Sequence, residues 1–395
     1  MNEAAARKRV PRAVVLLGFA SLLNDASSDI IYPLLPIFLS TYVGATPLII
    51  GLIEGTADAL ASILKLVAGR WSDRVRRRKA FVVWGYGLAG ASRILIAVAR
   101  HWGLVFAARL LDRTGKGIRS APRDALIADV AADEQRGKAF GLQRALDHTG
   151  AIIGPLLAAG LLALGLSLRA VFAVAIVPAF VGVALLIAAL REPEREVAEA
   201  AEPLTGERLP SPFRRALVPI ALFSLANSSD VFLILRAHAA GVSTLAIPLL
   251  WAAHHTVKAL LTTHAGAWSD RIGRRRMLAA GWIVYAAVYV AFPFARSLPA
   301  FLALLVIYGI PFALTEGTER AWVARFLAAE SRGKGFGAYY LVVGLGTLAG
   351  TALFGWLYQT VSPLAAFASG AGLALAAAAT LPIARGRGVS PRNPA

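Results

Sequence analysis

Three carboxylates invite a chemical explanation, because each lies in a long apolar run: Asp25 and Asp29 near the start of the chain, and Asp230 past its middle. A charge inside such a run costs roughly 2.5–3.5 kcal/mol on insertion scales, so it persists where it faces protein or a wet cavity. Ser21, Asp25, Ser28, Asp29 and Tyr32 recur at helical spacing and share one face. Ser224–Asp230 (SLANSSD) echoes Ser21–Asp29 (SLLNDASSD), so the polar stripe occurs twice. Dehydration favours the protonated form of a carboxylate, and water or a nearby cation favours the charged one. The expected chemistry is therefore reversible protonation at Asp25, Asp29 or Asp230, with Glu54 and Asp58 as further candidates.

The densest basic stripe is Arg109, Asp112, Arg113, Lys116, Arg119 and Arg123, at intervals of three or four. Asp112 is expected to neutralise one neighbour. The surplus positive charge either binds an anionic group or pairs with Asp25, Asp29, Glu54 and Asp58. Trp251, His254 and Lys258 lie on another stripe, where His254 serves as a proton relay, a substrate donor or a plain cavity wall. His254 and His255 diverge by ~100° on a helix, and the chain has no Cys and two Met, so no metal site is expected. Asn24 and Asn227 either contact substrate or hydrogen-bond neighbouring helices. Substrate contacts are thus expected among Asn24, Tyr32, Arg113, Lys116, Asn227, Trp251, His254 and Lys258.

These side chains must be positioned by elements that live in lipid. The chain has 395 residues, 57% hydrophobic and 16% charged, with mean hydropathy +0.63. A soluble domain carries nearer a quarter charged residues. The apolar residues gather in runs long enough to cross a ~30 Å hydrocarbon core, and without strict alternation they read as helices. Twelve spans are predicted, at about 13–39, 46–68, 80–99, 103–127, 138–164, 169–190, 216–240, 245–265, 277–295, 299–323, 336–359 and 363–384. Asp25 and Asp29 also make the first span unlike the core of a cleavable signal.

The net charge of +18 would suggest nucleic acid in a soluble protein. Here the basic residues crowd into alternate loops, so membrane topology explains them and no nucleic-acid partner is expected. That asymmetry places both termini in the cytoplasm and the protein in the inner membrane as a multi-pass chain. The polar stretch Arg191–Arg215 reads as a linker between an N-terminal bundle over 1–190 and a C-terminal bundle over 216–395.

The halves are copies. Gly69–Lys79 (GRWSDRVRRRK) returns at Gly266–Arg276 (GAWSDRIGRRR), and Arg136–Gly141 returns at Arg332–Gly337 with an offset of 196 residues. Twelve spans in two related halves, with G-x-x-x-D-R-x-G-R-R between the second and third, resemble the major facilitator superfamily. The second copy matches throughout, at Gly266, Asp270, Arg271, Gly273, Arg274 and Arg275; the first has Arg76 in place of the second Gly. The resemblance implies an all-α membrane protein of two pseudo-symmetric six-helix bundles that rock about a midplane site. It also implies a cytoplasmic gate formed by Asp73, Arg74, Asp270 and Arg271, although these charges also serve topology.

Arg123-Asp124 corresponds to Glu319-Arg320 with the charges swapped, which suits the same gate. Gly150, Gly154 and Pro155 resemble the superfamily's antiporter motif on the fifth helix, and also suit plain helix packing. Further segments, including T-E-G-x-E-R-A at Thr315–Ala321, resemble a branch of undefined substrate.

The function expected is a proton-coupled exporter of a small organic compound, anionic or amphiphilic. The alternative is a proton-coupled uptake symporter for an organic anion. No enzymatic motif appears, no cofactor beyond the proton gradient is expected, and a monomer in membrane lipid suffices.

Overall fold

The computed structural model describes residues 11–74, 78–131, 135–191, 209–327 and 332–384. Every regular element among them is helical. In order these are α1 (Arg12–Ile31), α2 (Pro47–Arg74), α3 (Arg78–Val98), α4 (Trp102–Val130), α5 (Arg136–Ala163), α6 (Leu168–Val174) and α7 (Ile176–Ala189). There follow α8 (Ser211–Ala226), α9 (Val231–Ala239), α10 (Ala246–Ile272), α11 (Arg274–Ala291), α12 (Leu298–Ala324), α13 (Arg332–Thr360) and α14 (Pro363–Thr380). Ten helical stretches among the described residues are long and apolar enough to cross a membrane. The expected spans 103–127 and 245–265 form the equally long α4 and α10, which lie outside that set of ten. In α4 the basic stripe interrupts the apolar run.

Proline chemistry explains two irregularities. After α1 the chain tightens into a 3-10 turn at Tyr32–Leu34, where Pro33 lacks the N–H that an α-helix needs, and later loosens into a π turn at Phe38–Tyr42. The expected single span over 169–190 is divided at Ala175 into α6 and α7, where Pro178 removes the bond to Val174. The carbonyl of Ala175, which is buried, accepts from Ser27 Oγ at 2.7 Å.

A third irregularity has a different cause. The expected span 216–240 is broken at Asn227–Asp230, between α8 and α9. The stripe there is two residues shorter than its copy in α1. Two residues amount to ~3 Å of helix and ~200° of turn, so the two stripes cannot superpose over their whole length as unbroken helices. The carbonyl of Ala226, released by the break, accepts from Tyr285 OH at 3.0 Å.

Between α10 and α11, Gly273 has φ of +94°, a conformation that only glycine adopts cheaply. The second copy of the hairpin has its glycine where this conformation calls for one. The corresponding Arg76 and the linker residues 192–208 lie outside the described residues.

The chain forms two compact units. Unit 1 comprises Met1–Ala45, Leu60–Ala200 and Ser243–Ala252; unit 2 comprises Thr46–Ala59, Ala201–Val242 and Ala253–Ala395. The first turns of α2 therefore belong to unit 2, and those of α10 to unit 1. In unit 1, α3 packs along α4 and α1 along α5. Both seams are backbone against backbone. A Cβ on Gly85 would meet the Gly115 carbonyl at 2.7 Å, and one on Gly154 would strike the Ala26 carbonyl. In unit 2, α11 packs on α12 and α14, and α8 on α13. Gly350 there lies against the Leu225 carbonyl. Rings fill this core, with Phe223 stacked on Trp282 at 4.8 Å and Phe292, Phe354 and Phe367 beyond.

Candidate functional site

Each unit holds a polar centre. In unit 1 the most charged point is Asp112 on α4, which is 2% exposed. Arg93 of α3 binds its Oδ1, while Arg113 and Arg109 reach Oδ2 at 3.0 and 3.4 Å. Asp112 therefore serves three guanidiniums, where one was expected. The excess arises because α3 and α4 touch at Gly85 and Gly115, which brings Arg93 within reach. Arg93 also donates to Ser27 Oγ of α1 at 3.3 Å, tying three helices into one node.

Asp29, half-buried on α1, lies outside this node. Its Oδ1 accepts from Trp251 Nε1 at 3.1 Å. Tyr32 tilts against Trp251 at 5.3 Å, with the Arg109 guanidinium 5.7 Å from its ring centre. Asp25 accepts from Asn24 Nδ2 at 3.0 Å. Lys116 and Arg113 lie within electrostatic reach of Asp29, and Lys116 is exposed.

Toward the end of α4, Arg123 pairs with Asp124 at 3.0 Å and with Asp147 of α5 at 3.9 Å. Gln143 donates to Asp147 and to Ser21 at 2.8 Å each, and Ser21 also bonds the Tyr86 hydroxyl. Gly150 and Gly154 carry α5 directly onto α1, and a Cβ at 150 would come within 3.1 Å of Asp25 Cβ. Pro155 is buried inside α5 without ending it.

In unit 2 the centre is Asp230, at the end of the break and one residue before α9. Its Oδ1 accepts from Tyr308 OH of α12 at 2.7 Å. Tyr308 stacks on Tyr289, which bonds Ser228, and Tyr289 stacks on Tyr285. Asn227 is half-buried in the break itself. Glu54 and Asp58 of α2 and Lys258 of α10 lie within electrostatic reach of Asp230, and Glu54 is fully buried.

Lys258 pairs with Glu316 at 3.2 Å and lies 5.3 Å over the Phe312 ring. His254 is 2% exposed, faces the Leu305 carbonyl at 3.1 Å and packs on Tyr308 at 5.4 Å. Arg320 pairs with Glu316 at 3.7 Å, and Glu319 accepts from Tyr339 OH at 2.8 Å. Arg271 is exposed, and the side chains of Asp73, Arg74 and Asp270 lie outside the described residues.

Asp25, Asp29 and Asp230 share one feature. Each accepts from a neutral donor, Asn24, Trp251 or Tyr308, and none has a cation within ion-pair distance among the described residues. Asp112, wrapped in guanidinium, is the opposite case. A carboxylate on a neutral donor keeps a hydrogen-bond partner while gaining or losing a proton, whereas protonating Asp112 would strand buried cations.

Sequence reasoning missed Arg93, Tyr289, Tyr308 and Glu316. Arg93 carried a usable signal, as a lone charge in the middle of an apolar run. The tyrosines carried none, since a phenol in a span reads as ordinary core.

The comparisons with known proteins agree with this architecture. Residues 17–254 and 217–394 each match the Major Facilitator Superfamily. An uncharacterized MFS-type transporter of Methanocaldococcus jannaschii is 34% identical, covering 93% of this chain and 94% of its own length. The multidrug resistance protein MdtH of Klebsiella pneumoniae is 24% identical over 89% of this chain and 85% of its own. Among solved structures, the human organic anion transporter MFSD10 aligns with a TM-score of 0.66 at 20% identity, covering 94% of this chain and 100% of that one.

Proposed function

Because the chain belongs to the Major Facilitator Superfamily, and so is a multi-pass membrane transporter and not an enzyme, we propose that it is a proton-coupled exporter of a small organic compound. The observation that carries this reading is the set of three membrane-embedded carboxylates, Asp25, Asp29 and Asp230, held by neutral donors among the described residues. A proton taken from outside would bind one of them and leave on the cytoplasmic side, in exchange for substrate. Outward movement is favoured by the similarity to MdtH, a multidrug resistance protein, and by the seam that Gly150 and Gly154 form with α1.

The working arrangement is twelve spans in two bundles, over 1–190 and 216–395, joined by 191–215. Both termini face the cytoplasm of an inner-membrane monomer that works by alternating access. Substrate contact falls to Asn24, Tyr32, Arg113, Lys116, Asn227, Trp251, His254 and Lys258. Glu54 and Asp58 support proton handling. Asp73, Arg74, Asp270, Arg271, Arg123, Asp124, Glu319 and Arg320 close the cytoplasmic side, and no cofactor beyond the proton gradient takes part.

The test uses liposomes holding purified protein and a trapped pH dye, challenged with compounds that raise its melting temperature. An exporter moves protons against the direction of its substrate. Flux of both in the same direction establishes the symport reading, which the three guanidiniums and Lys116 around α4 favour through their attraction for an anion.

A further inference from the structure

The two units carry the same node in different chemistry. Arg93 and Asp112 stand 196 residues before Tyr289 and Tyr308, the offset that relates Arg136–Gly141 to Arg332–Gly337. Packing supports this register. Gly85 abuts Arg119, and Gly281, 196 residues on, abuts Thr315, which is 196 residues after Arg119. The serine partner is also kept: Arg93 Nε donates to Ser27 Oγ at 3.3 Å, and Tyr289 OH bonds Ser228 Oγ at 3.0 Å. Ser27 and Ser228 each stand two residues before an aspartate, Asp29 and Asp230.

In unit 1 the node carries its own ion pairs, because Asp112 faces Arg93, Arg109 and Arg113. Asp29 takes its hydrogen bond from outside the node, from Trp251. In unit 2 the node has no charge of its own. The residue that replaces Asp112 is a phenol, and it donates to Asp230. The break before Asp230 makes this possible by carrying the carboxylate to Tyr308.

We propose that Tyr308 is a positioning residue for the protonation of Asp230, and that unit 2 has turned a structural ion pair into a donor that tunes a proton site. This deepens the proton-coupled reading and rests on it. Asp230 takes up one proton from solution while Tyr308 keeps its own. A donor to the carboxylate favours the charged form, so Tyr308 sets the pH at which Asp230 fills. The other titratable groups within its reach are Glu54 and Asp58 of α2, Lys258 of α10, and Tyr285 and Tyr289 of α11. Lys258 is engaged by Glu316 at 3.2 Å, and Tyr289 by Ser228, which leaves Tyr308 as the direct donor.

The test needs no substrate. The purified full-length chain in liposomes is titrated with acid while infrared spectra follow the carbonyl stretch of protonated carboxyl groups, with Asp230→Asn assigning the band. Tyr308→Phe keeps the ring and removes the donor; it is expected to shift the band and move its midpoint about one unit to higher pH, a tenfold change in proton affinity. Tyr289→Phe, which spares the donor, is expected to move it less. Incorporation of 3-fluorotyrosine at position 308 keeps the shape and strengthens the donor, so it moves the midpoint toward acid even if Tyr308→Phe folds poorly. An unmoved band and midpoint with both replacements at 308 overturn the proposal. If the band responds as described but Asp230→Asn still couples protons to transport, the inference about Tyr308 stands and Asp230 leaves the coupling mechanism.

Discussion

Trp251 Nε1 donates to Asp29 Oδ1 over 3.1 Å, joining residues 222 positions apart in the chain. An indole N–H cannot accept, so it holds the carboxylate in place without taking its proton. The first turns of α10, which carry Trp251, belong to unit 1 with α1.

Replacing Asp29 by Asn is expected to leave the protein folded, since the amide oxygen still accepts from Trp251, and to abolish pH-driven transport. Trp251→Phe, which removes the donor and alters a proposed substrate contact, is expected to weaken transport and displace its pH profile. The check is substrate flux in liposomes from pH 5.5 to 8.5. Asp29→Asn flux that still follows the imposed gradient removes this residue from the coupling mechanism.

Asp112→Ala is expected to be far more damaging to stability. It leaves Arg93, Arg109 and Arg113 together without their shared carboxylate, and stranding one buried charge already costs about 3–5 kcal/mol. Thermal unfolding in detergent will show a midpoint well below that of Asp29→Asn. Equal midpoints for the two variants are incompatible with Asp112 anchoring the arginines.

Two glycines on α5 offer a matched pair. Gly154→Ala pushes a Cβ into the Ala26 carbonyl and to 3.0 Å from the Ile30 nitrogen, both backbone atoms, whereas Gly141 has nothing within 4 Å. Overpacking of this kind costs about 1–3 kcal/mol, while Gly→Ala at an open helical site gains up to about 1 kcal/mol. Melting temperatures should therefore move in opposite directions.

The chain has no Cys, so single cysteines report topology directly. Exposed positions 12 and 275 are expected to react with a membrane-impermeant maleimide from the cytoplasmic side, and exposed positions 42 and 297 from the opposite side. Positions 12 and 275 labelling from opposite faces would overturn the assignment of both termini to the cytoplasm.

How far the sequence could be read depended on what kind of signal each feature leaves. Span length and the duplicated hairpins are written in residue type, and Gly273 shows why the motif needs glycine. The stripe of Asp25 and Asp29 was visible because charge in an apolar run is costly. The broken helix was legible in principle: SLANSSD is two residues shorter than SLLNDASSD, and two residues rotate a helix by about 200°. Comparing lengths as well as letters would have found it. The role of Tyr308 was not legible, because nothing in a phenol's neighbours along the chain says which carboxylate it will meet across the bundle. Arg93 lies between these cases, since its burial was readable and its partner was not.

The glycine seams have a mechanical consequence. Where Gly150 and Gly154 set α5 on the carbonyls of Leu22 and Ala26, there is no layer of pliable side chains to shear. The two helices are welded, and Asp25 rides on the weld. Gly350 joins α13 to α8 in the same way, against the Leu225 carbonyl, and Gly346 faces the Cβ of Ser224. Whatever bends during a transport cycle must then be sought in helices without such a joint.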